Sequence, residues 1–194
     1  ESVGPGNVLH DLLKSGKIET YRLVHNRRQK NESLIVQNAL KVNGGRSDIT
    51  EGPEFEVYST ANCEEAREKV KELVLQYHVK NVPFHLQVLT PVRKTKAGAY
   101  ELNNMLQEAL NVEKQRINFG NVSFRLHDKV MMLSNNYEKR YFNGDIGTVV
   151  DISEGHMKVN IGGNIIELDR TLLEDVCLCY ASTIHKAQGS EYPV

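Results

Sequence analysis

The chain has 194 residues, 40% of them apolar and 25% charged, which suits one ordinary folded domain or one domain carrying a small insert. Its 24 basic and 25 acidic side chains leave a formal net charge of −1, which excludes a global electrostatic pull toward nucleic acid or an anionic membrane, so any contact with a polyanion must be local. No apolar run approaches the ~18 residues of a membrane span, and no charged-then-apolar leader is visible. The three cysteines, Cys63, Cys177 and Cys179, are odd in number and lack metal-ligand spacing, and two of them sit in the apolar run "VCLCYA". Buried thiols in a reducing compartment are the consequence, and the cytoplasm is the expected location, with no membrane partner.

"GPGNVLHDLLKSGK" opens on a Pro/Gly turn and then places Val8, Leu9, Leu12 and Leu13 at helical spacing, with Gly16 where a left-handed C-terminal cap belongs. "TYRLV" predicts a strand, and "NESLIVQNALKVNGG" a helix with Ile35, Ala39 and Val42 on one face. "FEVYS" predicts a further short strand before the helix of "NCEEAREKVKELVLQYH". In that helix Asn62 and Glu65 stand at capping-box spacing, and Ala66, Val70, Leu73, Val74 and Tyr77 share a face. "HLQVLTP" reads as a buried strand stopped by Pro91, and "GAYELNNMLQEALN" as a helix through Leu102, Met105, Leu106, Ala109 and Leu110. Alternating strands and helices predict an α/β fold with a parallel sheet.

After about residue 120 the pattern changes. "KVMMLSN", "IGTVVDI", "HMKVNI" and "NIIELD" are short strands separated by "YFNGD", "SEGH" and "GGN", which predicts a small β-barrel. "EDVCLCYAS" then predicts one buried strand that rejoins the sheet, followed by a turn and a short helix. The expected organisation is an α/β domain over residues 1–122 and 174–194, interrupted by a barrel over residues 123–173.

Nucleotide hydrolysis on such a sheet calls for G-x-x-x-x-G-K-[ST] at a strand-to-helix turn, and the chain has none; "SGKI" lacks the first glycine and the hydroxyl residue. No apolar strand ends in paired acids that would hold magnesium. By itself the chain is expected neither to hydrolyse ATP nor to bind it tightly.

Five segments stand in a recognisable order: "SVGPGNVL", "RRQ", "QVLTPVRKTKAGAYELNNMLQEALN", "DKVMMLSNNYEKRYFNGDIGTV" and "YASTIHKAQGSEYP". Their order and spacing resemble the C-terminal motor half of RecD-like helicases, the RecD/TraA branch of superfamily 1B, which includes the exodeoxyribonuclease V alpha subunit. The resemblance covers essentially the whole chain. It implies a second RecA-like domain of P-loop NTPase type interrupted by an SH3-like barrel, taken from a bacterial ATP-dependent 5′ to 3′ DNA helicase. It also implies ATP with Mg2+ as the cofactor of the intact protein, and single-stranded DNA and an N-terminal motor domain in cis as partners. Helicase-nuclease subunits are a further implied partner. On this reading the phosphate loop lies upstream of Glu1 and another arginine-bearing motif beyond Val194.

Carried over by position, Gly4, Pro5 and Gly6 resemble the end of the coupling motif; as plain chemistry they are a turn before a helix. Arg28 resembles the arginine finger, whose forked donors meet charge on the transferred phosphoryl group; the family's preceding aromatic is replaced here by Arg27. Thr90, with Pro91 beside it at the DNA edge, would hold a DNA phosphate, with Arg93, Lys94 and Lys96 as nearby positive charge; those three could equally form an ordinary basic loop. Asn136 and Tyr137 would give polar and stacking contacts to bases, or Tyr137, Tyr141 and Phe142 instead simply close the barrel, Phe142 above all. Asn143, Gly144 and Gly147 read as turn formers. In "TIHKAQGSE", Thr183, His185 and Lys186 would touch DNA, Gln188, Gly189 and Ser190 the γ-phosphate, and Glu191 the ribose hydroxyl. The alternative from another class is a non-catalytic nucleic-acid or protein-binding module that works through the barrel.

Overall fold

The computed structural model describes residues 6–22, 33–78, 85–190 and 192, and the chain divides into two units, Glu1–Ser59 and Thr60–Val194. In the first unit, α1 (Val8–Ser15) ends at Gly16 with φ 64°, the left-handed conformation expected there. Its apolar residues Val8, Leu9, Leu12 and Leu13 are all exposed. Helix α2 (Leu34–Asn43) begins at Ser33, whose hydroxyl accepts the Ile35 N–H at 3.3 Å. The buried side chain of α2 is Asn38, whereas Ile35 and Val42 are exposed, contrary to the apolar pattern. Asn38 donates to the Thr50 carbonyl at 2.8 Å and accepts the Thr50 N–H at 2.9 Å, tying the returning loop to the helix.

Neither strand expected in this unit forms among its described residues. Thr20–Arg22 is irregular, and Leu23 and Val24 lie outside the described residues. In "FEVYS" only Phe55 pairs, through an isolated bridge to Gly52. β-propensity reflects packing on a sheet, and a segment without a neighbouring strand has nothing to express it against.

In the second unit, α3 (Cys63–Tyr77) is capped as its sequence predicts: the Asn62 side-chain oxygen Oδ1 accepts the Glu64 and Glu65 N–H groups at 3.0 Å each. The Glu65 carboxylate reaches back to the Ala61 N–H at 2.9 Å, one residue before the usual box partner. Next come β1 (Val88–Thr90), α4 (Ala99–Leu110) and a hairpin of β2 (Arg116–Phe119) with β3 (Val122–Arg125). Then follow β4 (Lys129–Met132), β5 (Ile146–Ser153), β6 (His156–Ile161), β7 (Asn164–Leu168), a 3-10 turn (Leu172–Asp175), β8 (Val176–Leu178) and β9 (Ala181–Thr183). The antiparallel sheet has the order β7-β6-β5-β4-β8, and β1 pairs in parallel with β9. Among the described residues that pair is the whole of the parallel sheet.

The run "VCLCYAS" is therefore two strands in two sheets. Val176 and Leu178 join the core of the antiparallel sheet, and Ala181 joins the core of α3, α4 and β1, with Tyr180 packed on both. Gly147 is a strand residue of β5 rather than a turn former. A Cβ there would lie 2.6 Å from Val159 Cγ1 and 2.7 Å from the Asn160 carbonyl oxygen, so the glycine lets the strands close up where the sheet bends. A register shift between Val149 and Asp151 adds to the bend.

The two cores are joined by a polar stripe on α4. Gln107 and Asn111, four residues apart, donate to Asp128 at 2.5 and 2.7 Å. Tyr180 Oη donates to it at 2.8 Å and the Arg125 N–H at 2.6 Å, and no surface of Asp128 is exposed. Burial pushes this carboxyl above its ordinary pKa, and the four donors pull it back. Next in sequence, Lys129 Nζ donates to the Leu86 carbonyl at 3.0 Å and to Gln87 Oε1 at 2.7 Å, and burial draws its pKa down. Removing the central acceptor strands several buried donors. Asp128→Ala should cost about 3 kcal/mol of unfolding free energy, read as a lower urea midpoint. A loss under about 1 kcal/mol would mean that the donors find other partners.

Candidate nucleic-acid interface

Strands β1 and β9 run in parallel with Thr90 opposite Thr183, so both carboxyl ends finish side by side at the edge where open α/β sheets receive ligands. Pro91 stops β1, and the chain turns back at once. Thr90 Oγ1 donates to the Ala97 carbonyl at 2.9 Å, and the Ala99 N–H donates to the Val92 carbonyl at 3.1 Å. Gly98 is obligatory in this turn, since a Cβ would stand 2.7 Å from the Arg93 carbonyl and the Thr95 nitrogen. On β9, Asn103 of α4 takes the part of a neighbouring strand: its amide donates to the Ala181 carbonyl at 2.8 Å and accepts the Ala181 N–H at 2.9 Å.

Beyond Thr183 the backbone coils. The Lys186 and Ala187 N–H groups both reach the Thr183 carbonyl, at 3.0 and 3.1 Å, and the Ser190 N–H reaches Ala187 at 3.0 Å. Gly189 adopts φ 88°, a conformation that disfavours any other residue. Gln188, Gly189 and Ser190 are exposed on this turn.

A groove of about 650 Å³ opens beside this edge, lined by Arg93, Thr183 and Lys186 together with Tyr100 of α4 and the turn between β2 and β3. The Thr183 hydroxyl is buried and has no hydrogen-bond partner among the described residues. Thr90 differs from it, because its proton is already given to Ala97. Cys177 and Cys179 also line the groove. Burial raises both thiols, Cys179 to about 12, while Arg93 and Lys186 oppose the rise at Cys177, which places positive charge at this end of the groove.

Several sequence-predicted residues meet here: Thr90, Pro91, Arg93, Thr183 and Lys186, with exposed His185 beside them. Lys96 is drawn aside into an ion pair with Glu64 of α3. Asn136 and Tyr137 lie instead in the connection between β4 and β5 and are not in the groove lining. Asn136 exchanges backbone hydrogen bonds with Tyr141, and its side-chain oxygen accepts the Lys139 N–H at 2.9 Å. Tyr141 closes the core with no exposed surface, whereas Phe142, expected to do so, is 46% exposed and packs edge-on against exposed Tyr137, ring centroids 5.8 Å apart. Gly6 has φ 94°. Gly4, Pro5, Arg28 and Glu191 lie outside the described residues. Tyr100, Asn103 and the hairpin turn were missed in the sequence. The available signals were amides at positions 103, 107 and 111 on an otherwise apolar helix face, and "NFGNV" as a turn between alternating residues.

Residues 102–162, from within α4 to just beyond β6, match the family model of the ATP-dependent RecD-like DNA helicase SH3 domain. The ATP-dependent RecD2 DNA helicase of Deinococcus radiodurans is 36% identical over 110 residues, which are 57% of this chain and 15% of that protein. Over these residues the chain is similar to RecD-like helicases. It spans a small part of the length of this curated relative. Among solved structures, the Pif1 helicase from Bacteroides in complex with ADP-AlF3 and ssDNA aligns with a TM-score of 0.51 at 14% identity, covering 84% of this chain and 42% of that one. The likeness is one of fold, and the fold class is that of a RecA-like α/β domain with an SH3-like insert. No helix among the described residues is long and apolar enough to cross a membrane.

The thiols give a direct check on the groove. Cys63 is exposed and Cys179 is buried as a neutral thiol, so a disulfide reagent at pH 8 should titrate about one cysteine quickly and leave Cys179 unreacted until the chain unfolds. Because the folded pKa of Cys179 lies above the unfolded value of 9.0, its contribution to stability is complete below pH 9 and is lost as pH rises toward 12. The melting temperature should accordingly decline above pH 9.

Proposed function

We propose that this chain supplies the second motor domain's share of an ATP-dependent 5′ to 3′ DNA helicase: part of the track for single-stranded DNA and one wall of an ATP cleft. The observation that carries the reading is the pairing of Thr90 with Thr183 at the carboxyl edge of the parallel strands, with Arg93 and Lys186 lining the same groove. Phosphates of a single strand are met there by two cations, and the Thr183 hydroxyl becomes a further donor once its side chain turns toward the groove. The single strand held by the Pif1 neighbour supports the choice of ligand. With a formal charge of −1 the chain has only these local contacts to offer, so binding is weak and salt-sensitive.

On the nucleotide side, Gln188, Gly189 and Ser190 form an exposed turn whose glycine leaves room for a phosphate to approach the backbone. ATP with Mg2+ would supply the transferable phosphoryl group, and Arg28 would act as the finger that meets its charge. The turn follows Thr183 directly, so one short segment would touch both ligands, and a shift at the nucleotide would be felt at the DNA grip.

Thr183→Val should leave stability nearly unchanged and weaken binding of a fluorescent oligothymidylate about tenfold. Lys186→Ala should weaken it and lower the slope of log affinity against log salt by about 0.7. Unaltered affinity in both variants would remove the track assignment. For the nucleotide wall, the chain joined to a motor domain bearing a phosphate loop should show DNA-stimulated ATP turnover that Arg28→Ala reduces by about 10³. Undiminished turnover would remove the finger assignment.

A further inference from the structure

Phosphate contact accounts for only part of the groove beside β1 and β9. Its charged lining is Arg93 and Lys186 with one carboxylate, Glu174, and Tyr100, Phe119, Val122 and Leu133 line it too. Tyr100 is 54% exposed on the first turn of α4, Val122 is 38% exposed, and Phe119 is half-buried at the end of β2. Single exposed apolar side chains are ordinary on a protein surface. Here they converge in one concavity of about 650 Å³, within the size range of sites that take small organic groups, and they share it with two cations.

We propose that this groove takes one nucleobase of a single strand, its ring face against Tyr100 and Phe119 and its phosphate at Arg93 and Lys186. This rests on the DNA reading given above and adds a base-binding role for α4 and the β2-β3 turn. A nucleotide in a single strand offers both parts the lining asks for, an anionic backbone and an uncovered aromatic face, whereas the faces of bases in a duplex are already stacked. Asn103, which also lines the groove, has its amide committed to the backbone of Ala99 and Ala181 and is not available to read a base edge.

Fluorescence anisotropy with the intact chain tests this, using an oligothymidylate and a strand of the same length made of abasic sugar-phosphate. The chain should prefer the oligothymidylate by roughly tenfold. Tyr100→Ala should abolish most of that preference while leaving abasic binding unchanged, and Tyr100→Phe should keep it. Lys186→Ala should weaken both ligands alike. Tyr100 is exposed, so its substitution is expected to leave the fold intact, and an unchanged melting temperature checks this. Equal affinity of the parent chain for the two strands overturns the base pocket and leaves the DNA reading standing. Full oligothymidylate preference in Tyr100→Ala also overturns it. Binding of neither strand overturns both readings.

Discussion

A carboxylate taken out of water must be met by donors, and Asp128 is met by four: the amides of Gln107 and Asn111, the Tyr180 hydroxyl and the Arg125 backbone. These donors come from α4 and its C-terminal cap, from the link between β8 and β9, and from the hairpin, so a single acceptor ties these three parts together. Lys129, one residue on, grips the chain just ahead of β1 through the Leu86 carbonyl and the Gln87 side chain. The antiparallel sheet and the parallel pair are thus held in one arrangement by directed bonds, which tolerate little rotation, in addition to apolar contact.

The groove follows from that arrangement. Asn103 holds β9 on α4, and the same helix places Tyr100 beside the strand end. The loop after Pro91 is folded back by Thr90 and Gly98, which sets Arg93 at the groove. Val176, Cys177, Leu178 and Cys179 of β8 and the residue after it also line the groove, and Val176 and Leu178 belong to the core of the antiparallel sheet as well. A chain of near-zero net charge thereby acquires a local pair of cations beside an apolar surface.

Local chemistry was legible wherever a rule acts over a few residues. The Asn62 cap, the Gly16 terminus, the stop at Pro91 and the four glycine-separated strands all follow from neighbouring residues, and they stand where the sequence puts them. Pairing partners were not legible. "VCLCYAS" looks like one buried strand because both of its halves are apolar, yet its halves belong to different sheets. Phe142 looked like a core residue by type, but Tyr141 took the core position, since neighbouring residues point in opposite directions and only one ring could enter.

By itself the sequence determined the α/β character, the β-rich insert, the lack of a phosphate loop and the polar and basic residue types after β1 and β9, because these depend on periodicity, turn chemistry and motif spacing. Only the tertiary structure decided that Thr183 rather than Thr90 has a hydroxyl uncommitted among the described residues, that Tyr100 and the hairpin turn share a groove with Arg93 and Lys186, and that Asn136 and Tyr137 stand outside it. Those outcomes turn on which strand lies beside which and on where each buried polar group finds its partner. Such partners lie as far apart in the chain as Asn103 and Ala181, beyond the reach of any local pattern.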